Sequence, residues 1–132
     1  MSNVGIVVIS HSFELVKGLQ ALLRQVQPAV PVAIAGGTED GRIGTDVFAI
    51  KEAIELVYSE KGVVLFFDLG SALLNAEMAL ELLGNRENIK LVDAPIVEGS
   101  FVAVVESGCG STLDEVQRAA EGVRGLNKLN LE

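Results

Sequence analysis

The chain contains one histidine, His11, in the run Ser10-His11-Ser12. An imidazole can serve as a nucleophile, a general base or a metal ligand. With one histidine and one cysteine, Cys109, a zinc centre built on two or three histidines would need two chains to share it. A multi-cysteine metal site and an internal disulfide are excluded outright. The carboxylate best able to partner the imidazole is Asp68, in Phe67-Asp68-Leu69-Gly70-Ser71. A carboxylate beside an imidazole fixes its tautomer and orients the free nitrogen. The pair therefore suits a nucleophilic imidazole that receives a phosphoryl group. Blander readings stand beside this one. A histidine at a strand end also serves as a helix-cap or turn residue, and an aspartate before Leu-Gly-Ser is also a turn former.

A second candidate is the stretch Gly36-Gly37-Thr38-Glu39-Asp40-Gly41-Arg42-Ile43-Gly44-Thr45-Asp46. Its glycines allow backbone N–H groups to approach an anion closely, and Thr38 and Thr45 supply hydroxyls. Asp46 is equally suited to capping the helix that follows. The stretch is neither a dinucleotide-binding fingerprint nor a Walker A loop, since it lacks both the G-x-G-x-x-G spacing and a Gly-Lys-Ser/Thr ending. The chain is accordingly expected to bind no cofactor of its own, and to relay a phosphoryl group rather than draw one from a bound nucleotide. Cys109, between two glycines with no base in view, reads as a buried or incidental thiol.

These residues must be held by the elements around them. Val4 to Ile9 is a continuous apolar run, as in a strand buried on both faces. Leu15, Val16, Leu19, Leu22, Leu23 and Val26 follow at helical spacing, with Ser12 as N-cap and Pro28 beyond the end. Val30 to Ala35 and Val63 to Phe67 read as further strands. Ile89 to Val92 reads as a fourth, shorter one. Val47, Ile50, Ile54 and Val57 mark a second helix, and a third runs from about Ser71 to Leu83. Glu98 to Ser107 permits either a helix or a strand. Leu113, Val116, Ala120 and Val123 give a last helix, weakened at its end by Gly122 and Gly125. The tail from Leu126 reads as a short extension or an exchanged segment. The Met and Phe residues are expected mostly in the core.

This alternation predicts an α/β fold: a doubly wound, mostly parallel sheet with helices on both faces. Right-handed crossovers favour the flavodoxin-like strand order 2-1-3-4. Ligands in such sheets bind beyond the carboxyl ends of the strands where the winding reverses. That point lies between strands 1 and 3, whose ends carry His11 and Asp68.

Composition narrows the function classes. The chain has 132 residues, 49% hydrophobic, with 18 acidic against 10 basic side chains and a formal charge of −8. That length suits a single domain with a real core. The acidic balance argues against nucleic acid as a partner. No segment has the ~20 apolar residues of a membrane span. The start lacks the basic region of a signal peptide, so the expected compartment is the cytoplasm.

Three groups of residues carry a family resemblance: Val7-Val8-Ile9-Ser10-His11-Ser12 ahead of a leucine-rich helix, Gly36-Gly37-Thr38 with Gly44-Thr45-Asp46, and Phe67-Asp68-Leu69-Gly70-Ser71. In that order they resemble the mannose-type IIA domains of the bacterial phosphotransferase system. The branch serving phosphoenolpyruvate-dependent dihydroxyacetone kinases is the nearest. The resemblance covers nearly the whole chain and implies one mannose-type EIIA domain over residues 1–132. It implies that His11 accepts phosphate from the phosphocarrier HPr through Nε2 while Asp68 hydrogen-bonds the other ring nitrogen. Ser12, Gly37, Thr38, Gly44, Thr45 and Ser71 would surround the phosphate or the partner. Phospho-His11 would rephosphorylate ADP held on a companion subunit, DhaL, and the resulting ATP would phosphorylate dihydroxyacetone on DhaK. A cytoplasmic homodimer is implied as well. Longer relatives carry fused HPr-like and enzyme I-like domains, so these are expected here as separate proteins. Three other functions remain open: a sugar-transporter IIA component that hands phosphate to a IIB domain, a receiver-like signalling domain phosphorylated on Asp68, and a silent binding module.

Overall fold

A computed structural model describes residues 2–129. Four parallel strands form one sheet in the order β2-β1-β3-β4. They are β1 (Gly5–Ser10), β2 (Val32–Gly36), β3 (Val63–Phe67) and the short edge strand β4 (Ile89–Leu91). Five helices surround them: α1 (Phe13–Val26), α2 (Val47–Val57), α3 (Leu73–Leu82), α4 (Ile96–Gly108) and α5 (Leu113–Glu121). The expected fold class and strand order are those observed.

Successive strand residues point to opposite faces, and both faces are covered. Ile6, Val8, Val32, Val64 and Phe66 pack with Val16, Leu19 and Leu23 of α1, Ala103 and Val104 of α4, and Val116 and Ala120 of α5. Val7, Ile9, Ala33, Ala35, Val63 and Leu65 face the opposite layer. There Ile50, Ile54 and Val57 of α2 and Ala76 and Ala79 of α3 complete the core. Two-sided burial is why β1 and β3 read as unbroken apolar runs.

Glu98 to Ser107, open to either assignment from sequence, lies within the helix α4 (Ile96–Gly108). Small residues decide its packing. A Cβ on Gly99 would lie 2.8 Å from the Ala94 Cβ and 3.1 Å from Phe66. Ser107 is buried and its hydroxyl donates to the Val4 carbonyl at 2.7 Å. The expected third helix starts two residues late, because Gly70–Ala72 forms a 3₁₀ turn first. The last helix gives way to another such turn over Gly122–Gly125, where the glycines sit.

Two expectations about burial are overturned, and a third is narrowed to its second alternative. Leu15, Leu22 and Val26 belong to the helical stripe of α1 but are exposed. Only Val16, Leu19 and Leu23 face the sheet, so the apolar stripe is wider than the surface it covers. Phe13, Phe48, Phe101 and Met78 are exposed rather than core, and Phe66 is the fully buried phenylalanine. Cys109 is exposed, because it follows the last turn of α4 instead of lying within the packed helix. Of the C-terminal tail, Leu126 and Leu129 are exposed, and Lys128 pairs with Glu98 of the same chain. Residues 130–132, the remainder of that tail, lie outside the described residues. No helix among the described residues is long and apolar enough to cross a membrane.

Candidate functional site

The sheet register brings the site together. Ile9 of β1 pairs with Phe67 of β3, and the Asp68 N–H continues the ladder by donating to the Ile9 carbonyl at 3.1 Å. The residues just beyond this last rung, His11 and Asp68, are therefore neighbours at the carboxyl edge of the sheet. His11 also lies just ahead of α1, whose N-cap is Ser12. The Ser12 hydroxyl accepts from the Leu15 N–H at 3.3 Å. The site thus faces the positive end of a helix dipole.

His11 Nδ1 lies 3.0 Å from Asp68 Oδ1, and the two side chains are 20% and 13% exposed. Asp68 accepts from four donors. Oδ1 takes the ring Nδ1–H and the Leu69 N–H, the latter at 2.7 Å. Oδ2 takes the His11 backbone N–H at 3.0 Å and the Ser10 hydroxyl at 2.8 Å. Burial alone raises the Asp68 carboxyl pKa, but the bonds from His11 N–H, Ser10, the His11 ring and Leu69 outweigh it and hold the group below its ordinary value. Asp68 is thus a carboxylate that can only accept, so the ring proton sits on Nδ1 and the Nε2 lone pair faces outward. The Ser71 hydroxyl meets that lone pair, with Oγ 2.8 Å from Nε2.

The glycine-rich stretch 36–46 reaches the same edge, but its polar groups are occupied differently. The Gly44 N–H donates to the His11 carbonyl at 2.9 Å and the Gly37 N–H to the Ser10 carbonyl at 3.4 Å. These amides brace the backbone of the site instead of standing free for an anion. Thr38 donates to Asp40 at 2.5 Å, and Asp40 pairs with Arg42 at 2.8 Å. The Thr38 hydroxyl and then the Arg42 guanidinium hold the Asp40 carboxyl below its ordinary range. Thr45 accepts from the Asn75 amide of α3 at 2.6 Å. Asp46 is the N-cap of α2, accepting from Phe48 N–H at 2.8 Å. Gly36 has a packing reason: a Cβ there would sit 2.5 Å from Val16 and 2.8 Å from the Ser12 carbonyl.

Of the residues singled out from sequence, His11, Asp68, Ser12 and Ser71 form one cluster. Gly37 and Gly44 touch its backbone, while Thr38 is turned into the loop and Thr45 is held by Asn75 of α3. Ser10 and Asn75 were not among the sequence candidates. Ser10 is marked in the sequence only as a hydroxyl closing an apolar strand, and Asn75 by nothing local. Two shallow depressions flank the loop, of about 340 Å³ and about 860 Å³. Neither is lined by His11, which opens to the surface instead of into a closed cavity. Among the described residues no three His, Cys, Asp or Glu side chains stand together as metal ligands.

The model of the "PTS system fructose IIA component" family, EIIA-man, matches residues 5–117. The chain belongs to the EIIA-man family. Among curated relatives it is 42% identical over 102 residues to "PEP-dependent dihydroxyacetone kinase 1, phosphoryl donor subunit DhaM" of Listeria innocua, covering 77% of this chain and 80% of that one. It is 41% identical over 119 residues to the phosphoryl donor subunit DhaM of Escherichia coli, covering 86% of this chain and 25% of that longer one. A crystal structure titled as the unknown function protein EF1359 superposes with a TM-score of 0.82 at 31% identity, covering 92% of this chain and 95% of that one. Within EIIA-man the chain is thus of the DhaM type. The matched residues include His11, Asp68 and the loop between them in sequence.

Proposed function

We propose that this DhaM-type chain is the phosphoryl donor subunit of a phosphoenolpyruvate-dependent dihydroxyacetone kinase, with His11 as the relay point. The carrying observation is the arrangement of the imidazole: Nδ1–H bonded to a carboxylate, Nε2 outward at a helix N-terminus. In the first step the Nε2 lone pair attacks the phosphorus of phospho-HPr. The donor's N–P bond breaks as the new one forms. The ring keeps its Nδ1 proton and becomes cationic, and the Asp68 carboxylate, 3.0 Å away, balances that charge. Ser71 releases Nε2 and its hydroxyl becomes free to donate to a phosphoryl oxygen. In the second step a terminal phosphate oxygen of ADP, held on DhaL, attacks the same phosphorus. The N–P bond breaks and neutral His11 returns. ATP formed there serves dihydroxyacetone on DhaK.

The position of the site at the sheet rim, with His11 partly exposed, supports transfer between proteins, since a relay must present its imidazole to a donor and an acceptor in turn. The names of the DhaM relatives support DhaL over a IIB domain as acceptor. Asp68 is a poor phosphoacceptor, because both its oxygens are already occupied by donors of the chain itself. A homodimer and a cytoplasmic location complete the reading. The test is to load the chain with labelled phosphate from phosphoenolpyruvate, enzyme I and HPr, then offer DhaL·ADP or a mannose-type IIB domain. Label moving to ADP on DhaL is expected; label moving only to the IIB domain would overturn the assignment.

A further inference from the structure

Ser10 closes β1 with its side chain fully buried, at 0% exposure, in a strand whose other buried side chains are apolar. Its hydroxyl lies 2.8 Å from Asp68 Oδ2 and 3.0 Å from the Ser12 backbone nitrogen. The direction of both bonds is fixed by chemistry. The Ser12 N–H can only donate and the Asp68 carboxylate can only accept, so the hydroxyl proton must point to Asp68. Donors therefore converge on Asp68 from two sides: the N-terminus of α1 reaches Oδ2 through Ser10, and the imidazole of His11 donates to Oδ1.

We infer that Ser10 is a positioning residue for the reaction at His11, acting through Asp68. This rests on the relay reading of His11 given above. A carboxylate at the end of a strand can rotate about its side-chain bonds and present either oxygen to the ring. The His11 and Leu69 N–H groups hold one edge of each oxygen. Ser10 supplies the second bond to Oδ2, and that bond leaves Oδ1 as the oxygen facing Nδ1. Deleting the hydroxyl also strands the Ser12 N–H, at the turn that carries His11 into α1. A buried polar group placed in an apolar strand is costly unless it is bonded, and here both its bonds serve the imidazole.

Ser10→Ala removes one oxygen and adds no bulk, so the fold is expected to persist, with a circular dichroism spectrum matching the parent. Two readouts then separate positioning from mere packing. Nitrogen NMR of the His11 ring is expected to show the Nδ1–H tautomer dominant in the parent and reduced in Ser10→Ala. Phosphorylation by phospho-HPr is expected to show kcat lower by about tenfold with KM unchanged. A folded Ser10→Ala chain with the parent's tautomer balance, or with the parent's kcat, would overturn the inference. If the parent itself takes no label from phospho-HPr, the relay reading fails, while the ring spectrum still decides whether Ser10 orders the imidazole.

Discussion

Two polar segments meet at the carboxyl edge of the sheet, and they have similar ingredients. The ends of β1 and β3 contribute hydroxyls, a carboxylate and a glycine; so does the loop from Gly36 to Asp46. The first segment directs its groups toward one imidazole: Ser10 and Leu69 hold Asp68, Asp68 holds Nδ1 and Ser71 meets Nε2. The second closes on itself through Thr38, Asp40 and Arg42, and caps α2 with Asp46. Its two amides that touch the site hold the carbonyls of Ser10 and His11. Composition alone therefore does not separate a reacting segment from a bracing one. The direction in which donors and acceptors point does.

His11→Ala removes the reacting group of the first segment. It is expected to abolish phosphoryl acceptance while thermal unfolding stays close to the parent, because the side chain lies at the sheet rim. A variant that fails to fold would make His11 a structural residue. Asp68→Ala comes next, with transfer slowed by about a hundredfold in a rapid-quench assay, through loss of tautomer control and of charge balance on the phosphorylated ring. Unchanged rates would reduce Asp68 to a turn former. The same variant gives a pH signature. The folded-state pKa of Asp68 is depressed, so its stabilising contribution is fully present above the ordinary carboxylate value of 3.8. It is lost as pH falls through the lowered folded value. The difference in melting temperature between parent and Asp68→Ala is therefore expected to be greatest near neutral pH and to shrink in acid; a difference that grows in acid would contradict it.

Ser71→Ala should slow transfer by about tenfold, the low end of what one hydrogen bond to a charged group contributes. A loss as large as that of Asp68→Ala would make Ser71 more than a donor to the phosphoryl oxygens. Smallest of all is Thr38→Ala in the bracing loop, expected to leave transfer within about twofold, since exposed polar contacts of this kind contribute little. A drop matching that of Ser71→Ala would show that the loop holds the phosphate after all and would erase the contrast between the two segments.

Much of this arrangement is legible in the sequence because it follows from topology. The apolar runs of β1 and β3 require a sheet covered on both faces, and right-handed crossovers put their ends side by side, which pairs His11 with Asp68 before any distance is known. Ser12 is readable as a cap for the same local reason. Other features depend on contacts across the fold. Residues 96–108 carry β-branched side chains that fit a strand, and their helical state follows from Gly99 and Ser107 meeting Phe66 and Val4. The exposure of Phe13 and Phe48 follows from where α1 and α2 begin, at the rim, where no layer covers them. The use of Ser10 depends on a carboxylate 58 residues away, which no local pattern encodes.

In the proposed relay the outward nitrogen of His11 carries the phosphoryl group. Its most direct test is to phosphorylate the chain with phosphoenolpyruvate, enzyme I and HPr, and to locate the phosphate by phosphorus and nitrogen NMR. A single phosphate on His11 Nε2, lost in acid and kept in base, is the predicted result. No transfer from HPr, or an acyl phosphate on Asp68 labile in both, would contradict the account.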